Sequence, residues 1–524
     1  MLPVHVSPKH RVVGVPHSQE VGGFFPDAKT IDVAGHPHLV VPHDTAVTFI
    51  LRRLGFDVPA PILVQYDWCG GKPFMVQRKT CALLSTSPHA YCLNDMGTGK
   101  TKAALWAWDY LRGNGHAGKL LIVAPLSTLR FVWASEVLGT IPHRKAVVLH
   151  HTDRAKRVAR LTNSDAEIFI INPAGAKLIF NELMHAYDID TLVIDELATY
   201  RNAGSDQSKV MQKLAARMRW VWGMTGAPIP TSPTDVFGQC KIVTPASVPR
   251  YFGRFRDALM YKPYEKSFRW LPKPDAIDRA FAAMKPAVRF ALDDVVELPD
   301  MIERFVDVEL GAKQAKVYKE LAAHCYAAVQ NKEITAANAG AVMMKLLQVA
   351  CGWVYTREGD VVPLDNDKRI TALMDGIMST SRKVLVFVPF KHALTGISDA
   401  LTHEGVEHAN VSGDTPEGKR AEIFNAFQNT TKYRVINAHP QCLAHGITLT
   451  AADTVIWFAP IANLEIYDQA NRRIRRVGQG HKQQLIHLQG TAVEKRIYSL
   501  LQKNQKVQDQ LLGMFEDATV NMEA

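Results

Sequence analysis

The sequence predicts an α/β fold: two parallel-sheet lobes in tandem, with helical insertions and a small N-terminal accessory region. Three observations carry this. Short apolar runs alternate with stretches of helical spacing, between Pro73 and about Cys240 and again between Val384 and Leu488. That alternation marks parallel strands covered by helices on both faces. A Gly-x-Gly-Lys-Thr loop, Gly97–Thr101, separates an apolar run from a helical one in the first half. In the second half, Gln469–Gln479 carries four arginines within five positions of a segment patterned as a helix. So much like charge on neighbouring turns is unfavourable unless the arginines face solvent or a polyanion, whose phosphate oxygens suit the guanidinium fork.

The elements run in this order. Residues 1–70 form the accessory region, with strands over Asp32–Val41 turned at Gly35 and a helix over Asp44–Leu54 that Asp44 caps. Pro59 and Pro61 mark the turn out of it. The first lobe, 71–290, has strands at Ala90–Leu93, Leu120–Ala124, Ala146–His150, Ile168–Ile171, Leu192–Ile194 and Trp220–Met224, with a helix over Thr101–Leu111. Within it, about 241–285 is an insert rich in arginine, lysine and aromatics. Basic residues interleaved with aromatics can grip nucleic acid, and the same rings would equally serve as the core of a helical insert. The second lobe, 291–524, opens with a helical insert at about 310–352 and a linker at Pro363–Asn366. Its strands are Val384–Val388, Val435–Ala438, Thr454–Phe458 and Gln484–Leu488, and a helix over Ala492–Leu512 closes the chain.

Composition narrows the function. At 524 residues the chain exceeds one core. No apolar run approaches the roughly 20 residues that span a bilayer, and Met1–His10 lacks the apolar core of a secretory signal. The seven cysteines include no Cys-x-x-Cys pair, which argues against a structural zinc or a disulfide framework. The histidines are dispersed. A net charge of +10 favours a polyanion, with nucleic acid ahead of a membrane surface, since no basic amphipathic helix is evident.

Two motifs carry chemistry. In the loop Asn94–Thr101, glycines let backbone N–H groups turn around phosphate oxygens, and the helix dipole adds to their pull. Lys100 would reach the β- and γ-phosphates and the Thr101 hydroxyl would bind magnesium. Asn94 occupies the first glycine of the full signature. Thr191–Ala198 is a buried strand ending in two acids, of which Asp195 can hold magnesium and Glu196 can accept a proton from the attacking water.

In their joint order these pieces resemble superfamily 2 helicases and translocases, and most closely a compact bacterial or phage-like member of the Swi/Snf-type DNA-dependent ATPases. The resemblance covers about 70–515. It implies two RecA-like lobes, ATP and Mg2+ as cofactors, and Gln77 of Pro73–Gln77 as the adenine-reading residue. Met96, Gly97, Thr98 and Gly99 would line the phosphates with Lys100 and Thr101, and Thr101 and Asp195 would serve the metal. Ser127 in Ala124–Thr128 (followed by Trp133 and Glu136), Asn172, Arg201 and Thr448 take the positions of nucleic-acid contacts. Thr225 and Gly226, with Gly446 and Gln469, take those that couple hydrolysis to motion. Pro299, Gln314 and Tyr318 match the opening of the second lobe, and Gly490, Thr491, Glu494 and Ile497 its closing helix. Arg473 and Arg476 align as the arginine fingers, leaving Arg472 and Arg475 for DNA or solvent. Ala198 stands where many relatives have histidine.

The implied activity is ATP-driven translocation on double-stranded or forked DNA in replication, recombination or repair, with fork remodelling or strand annealing as the output. The implied setting is the cytoplasm of a bacterial cell or phage-infected host, with room for a replication or transcription protein as partner. The competing readings are an RNA or single-strand helicase, the motor of a restriction system, and a polymerase-associated remodeller whose output is a protein contact.

Overall fold

A computed structural model describes residues 4–264, 267, 270–292, 299–330, 336–355, 361–443, 448–476 and 479–503. The chain divides into two compact units, Met1–Val296 and Glu297–Ala524. The first begins with a four-stranded antiparallel sheet in the order His5–Ser7, Val12–Pro16, His36–Pro42, Lys29–Val33. Asp44 caps the helix Thr45–Arg53 by accepting from Val47 N–H at 2.8 Å. This helix and the sheet enclose a small core of Val13, Val15, Leu39, Val41 and Leu51. Arg52 ties that helix to the end of the helix Met75–Thr86, donating to Thr86 Oγ1 at 3.0 Å.

The main sheet of the first unit has seven parallel strands. Their order is Ala287–Val288, His89–Cys92, Trp220–Met224, Ile189–Asp195, Lys119–Val123, Ile168–Ile171, Ala146–Val148. Its central strands are buried along nearly their whole length, as expected of a sheet covered on both faces. The edge strand Ala287–Val288 lacks an apolar run and is not legible in the sequence. It runs beside His89–Cys92 and props the loop beyond that strand, with Leu93 N–H donating to the Val288 carbonyl and Asp95 N–H to that of Phe290.

The second unit holds six parallel strands in the order Met301–Asp307, Gln483–Gln489, Ala452–Trp457, Lys383–Phe387, Val435–Ala438, His408–Val411. The two outer strands, like Ala287–Val288, are absent from the sequence reading. One sequence expectation changes. The arginines do not lie within a helix: the helix Leu464–Asn471 ends before them and Arg472–Arg476 form turns. Arg473 N–H bonds back three residues to the Ala470 carbonyl where the helix ends, and the Arg473 carbonyl accepts from Leu449 N–H at 3.0 Å. The closing helix runs over Ala492–Gln502 with Lys503 as its C-cap, and 504–512 of the expected span lie outside the described residues.

Arg369 is the buried polar centre of this unit. It donates to the carbonyls of Ala350, Phe458 and Leu488 and to Glu494 Oε1. Glu494 in turn accepts from the N–H groups of Gly490 and Thr491, and both side chains are buried. Arg369→Met strands the Glu494 carboxylate away from water. The expected result is a loss of about 3–5 kcal/mol in urea unfolding of the second unit, and Arg369→Met with Glu494→Gln should recover much of it.

Candidate nucleotide site

The phosphate loop is shaped by glycine and held by side-chain ties. Gly97 and Gly99 sit at φ +85° and +78°, left-handed backbone that a Cβ disfavours. At Gly99 a Cβ would also stand 2.0 Å from Gln77 Nε2. Asn94 explains its own departure from glycine. Its Nδ2 donates to Thr80 Oγ1 at 2.9 Å and its Oδ1 accepts from Phe290 N–H at 3.0 Å, which ties the loop to the helix Met75–Thr86 and to the edge of the sheet. Lys100 Nζ donates to the Asn94 and Asp95 carbonyls at 2.7 and 3.2 Å, so its ammonium lies against the loop. Thr98 Oγ1 donates to the Asp95 carbonyl at 2.8 Å, and Met96 is half-buried beside it. Thr101 stands half-buried in the first turn of Lys100–Gly113.

Gln77 is buried, with Oε1 accepting from Phe74 N–H at 2.8 Å and Nε2 3.5 Å from the Gly99 carbonyl. Its amide braces the loop.

The acid pair belongs to the same end of the sheet. Met224 pairs with Cys92 on one side and with Asp195 on the other. The phosphate loop and the acids therefore leave the sheet two strand spacings apart, about 10 Å. Thr225 and Gly226 follow the strand between them. Thr225 N–H donates to the Cys92 carbonyl at 3.1 Å, and a Cβ on Gly226 would lie 3.7 Å from Lys100 Nζ. Thr225 thus bonds to the strand that enters the loop, and Gly226 lies beside the loop.

Asp195 is held from two directions. Its Oδ2 accepts from the indole N–H of fully buried Trp133 at 2.9 Å, and its Oδ1 from Glu196 N–H at 3.1 Å. Burial pushes the Asp195 carboxyl up from its ordinary value, while the Trp133 bond and the charge of Lys100 pull it back. Glu196 is half-buried at φ 52°, ψ 52°. Left-handed backbone at a residue with a side chain costs about 1–2 kcal/mol, and such strain concentrates where function fixes the geometry. Trp133 is the residue that motif reading undervalues. It lies 62 positions from Asp195, and only folding pairs them. It sits on the π-helical segment Leu129–Ala134, and π segments recur at functional sites.

Ser127, Asn172 and Arg201 all lie just beyond the C-terminal ends of strands of this sheet, so they share an end with the phosphate loop. Ser127 is half-buried in the turn Leu126–Thr128, the Asn172 Oδ1 lies 3.5 Å from Arg157 Nη1, and Arg201 is exposed.

In the second unit the structure separates the two aligned arginines. Arg473 is fully buried, with Nε donating to the Gln469 carbonyl at 2.9 Å. Gln469 is itself buried, its Nε2 donating to Glu465 Oε1 at 3.2 Å. Arg476 is half-buried and donates through Nη1 to Thr448 Oγ1 at 3.0 Å, and burial pushes its pKa down to about 10. Arg472 and Arg475 are half-buried. Gly446 lies outside the described residues.

A glycine-turned loop opening a helix, a lysine lying on it, and an acid pair two strands across define a phosphate-loop nucleotide-hydrolysing lobe. The comparisons carry this further. Residues 84–351 match the SNF2-related domain and residues 368–478 the helicase conserved C-terminal domain. The chain belongs to the SNF2-related family, and it is a nucleic-acid-dependent ATPase of that class. It is 27% identical over 418 residues to protein p41 of Acyrthosiphon pisum secondary endosymbiont phage 1, covering 74% of this chain and 85% of that one. It is 24% identical to an uncharacterized ATP-dependent helicase of Mycoplasma pneumoniae, covering 81% of this chain and 41% of the relative. It is 25% identical to the SWI/SNF-related matrix-associated actin-dependent regulator of chromatin subfamily A-like protein 1 of Xenopus tropicalis, covering 88% and 47%. The chain thus spans most of the phage protein and less than half of the other two. A solved structure, the Sulfolobus solfataricus SWI2/SNF2 ATPase core in complex with dsDNA, aligns at TM-score 0.41 and 20% identity, covering 87% of this chain and 97% of that one.

Proposed function

We propose that this chain hydrolyses ATP to move along double-stranded or forked DNA, and that it serves replication, recombination or repair by remodelling forks or annealing strands. The observation that carries the proposal is the contact set in the first unit: Lys100 on the loop, Thr225–Gly226 beside it, and Asp195–Glu196 at the neighbouring strand end. Magnesium, when bound, neutralises charge on the phosphates, and Thr101 and Asp195 offer the hard oxygen donors that such an ion takes.

The chain's own residues divide the remaining work. Lys100 places positive charge against the β- and γ-phosphates, and Gly97 and Gly99 keep side chains away from them. Glu196 accepts the proton of the attacking water. Gln77 supports Gly99 and reads the adenine. Arg476 supplies charge to the transition state, and Arg473 is the second finger residue, fully buried against the Gln469 carbonyl. Ser127, Asn172, Arg201 and Thr448 hold the nucleic acid, mainly through its phosphates, so binding is salt-sensitive and largely independent of sequence. Thr225, Gly226, Gly446 and Gln469 link the nucleotide state to that grip. The protein works in the cytoplasm of a bacterial cell or phage-infected host, beside a replication or transcription partner.

Trp133 positions Asp195 in this scheme. Trp133→Phe keeps an aromatic side chain but shortens it, and deletes one hydrogen bond to a charged group. The expected result is a fall in kcat of about tenfold together with a higher magnesium requirement, and a lower melting temperature from the space left in the core. Magnesium titrations of ATPase rate and of fluorescent-nucleotide binding check it.

Displacing a third strand from a triplex, without separating an ordinary duplex, is the expected mode of movement. Strand displacement without triplex displacement would instead support a single-strand or RNA helicase.

A further inference from the structure

The stretch 250–264 carries a surface that nucleotide chemistry does not use. Of the ten large exposed Phe and Tyr side chains among the described residues, four (Tyr251, Phe252, Tyr261 and Tyr264) fall within these positions. Tyr251 is 61% exposed and Tyr264 68%. They are not the core of the insert. The helix Phe252–Leu259 buries Phe255 and Leu259, with Phe255 5.4 Å from Phe237, and so packs without those tyrosines.

Cations stand beside aromatic rings just before that helix and along it. At its start Arg250 lies 5.4 Å from the Tyr251 ring centre. Past its end the antiparallel pair Met260–Tyr261 and Leu271–Pro272 brings Trp270 back beside Arg256, at 3.9 Å, and Lys262, at 5.4 Å. Of these three cations Arg256 is the one ion-paired among the described residues, with Asp257. From 250 to 279 the chain has eight basic and four acidic residues.

We propose that this surface binds single-stranded nucleic acid, with Tyr251 and Tyr264 stacking on unpaired bases and the adjoining arginine and lysine side chains holding phosphates. The chemistry selects this occupant. A duplex hides its base faces, so it would use the cations and leave the exposed rings idle. A protein partner favours arginine and tyrosine but not lysine, and has no use for the excess positive charge. Aromatic faces interleaved with cations suit an unstacked strand, with little preference for sequence. The inference does not rest on the proposed motor activity, because the grip needs no nucleotide.

The test uses the full chain without nucleotide, with labelled oligothymidine and a duplex of equal length in parallel. The double variant Tyr251→Ala with Tyr264→Ala should raise the single-strand Kd about tenfold or more and change the duplex Kd less than twofold. The ring-keeping variant Tyr251→Phe with Tyr264→Phe should bind oligothymidine like the parent. An unchanged single-strand Kd would overturn the proposal and leave the patch to a protein partner. An equal loss on both ligands would also overturn it, as would failure of the ring-keeping variant to bind. Duplex-stimulated ATPase should be the same in all variants, and its absence from the parent protein would count against the motor reading alone.

Discussion

Glu196→Gln is expected to lower kcat on the order of 10³-fold while leaving ATP binding intact. The substitution keeps size and hydrogen-bonding reach and removes the proton acceptor. It also keeps the bond from the Glu196 backbone N–H to Asp195, which does not involve the side chain. Single-turnover hydrolysis and fluorescent-nucleotide binding check it together. Normal nucleic-acid-stimulated turnover in this variant would remove Glu196 from the proposed chemistry. The strained backbone at φ 52° adds a control. Glu196→Gly relieves that strain and is expected to be at least as inactive, which separates the carboxylate's role from the shape of the turn.

Arg476→Ala is the second large effect. An arginine that stabilises the charge of phosphoryl transfer is worth on the order of 10³ to 10⁵ in rate. Arg476 is half-buried, and its Thr448 contact is exposed, so it can be exchanged for one with phosphate. The expected variant binds ATP and nucleic acid, melts as the parent does, and fails to turn over. Lysine is not expected to rescue it, because an ammonium lacks the planar fork. Arg473→Ala should behave differently. With its guanidinium fully buried and bonded to the Gln469 carbonyl, its loss should lower the unfolding midpoint as well as activity. Equal melting of the two variants would contradict the division of labour drawn between them.

These two arginines also show where sequence reading stops. Their spacing suggests one helix and one shared role. The helix ends at Asn471, and a backbone bond from Leu449, distant in sequence, holds the Arg473 carbonyl in the turns beyond it. Three strands of the parallel sheets missed by pattern share a cause as well. Ala287–Val288, Met301–Asp307 and His408–Val411 are sheet edges, where exposure on one side removes the unbroken apolar run that marks a central strand. Met301–Asp307 carries Glu303, Arg304 and Asp307 for that reason. The phosphate loop is legible because glycine at left-handed φ leaves its mark in the sequence itself. Asn94 reads as a defect of that loop in one dimension, and its bonds to Thr80 and Phe290 give the reason for it in three. Trp133 cannot be joined to Asp195 by any spacing rule, since their meeting depends on the π-helical turn after Thr128.

The measurement that bears most directly on the central claim is steady-state ATPase rate with duplex DNA, forked DNA, single-stranded DNA and RNA in parallel, at fixed salt. Duplex and forked DNA should stimulate the rate well above the others, and Glu196→Gln should abolish the stimulated rate. Stimulation by RNA or single strands without any by duplex, or a rate indifferent to all four, would contradict it.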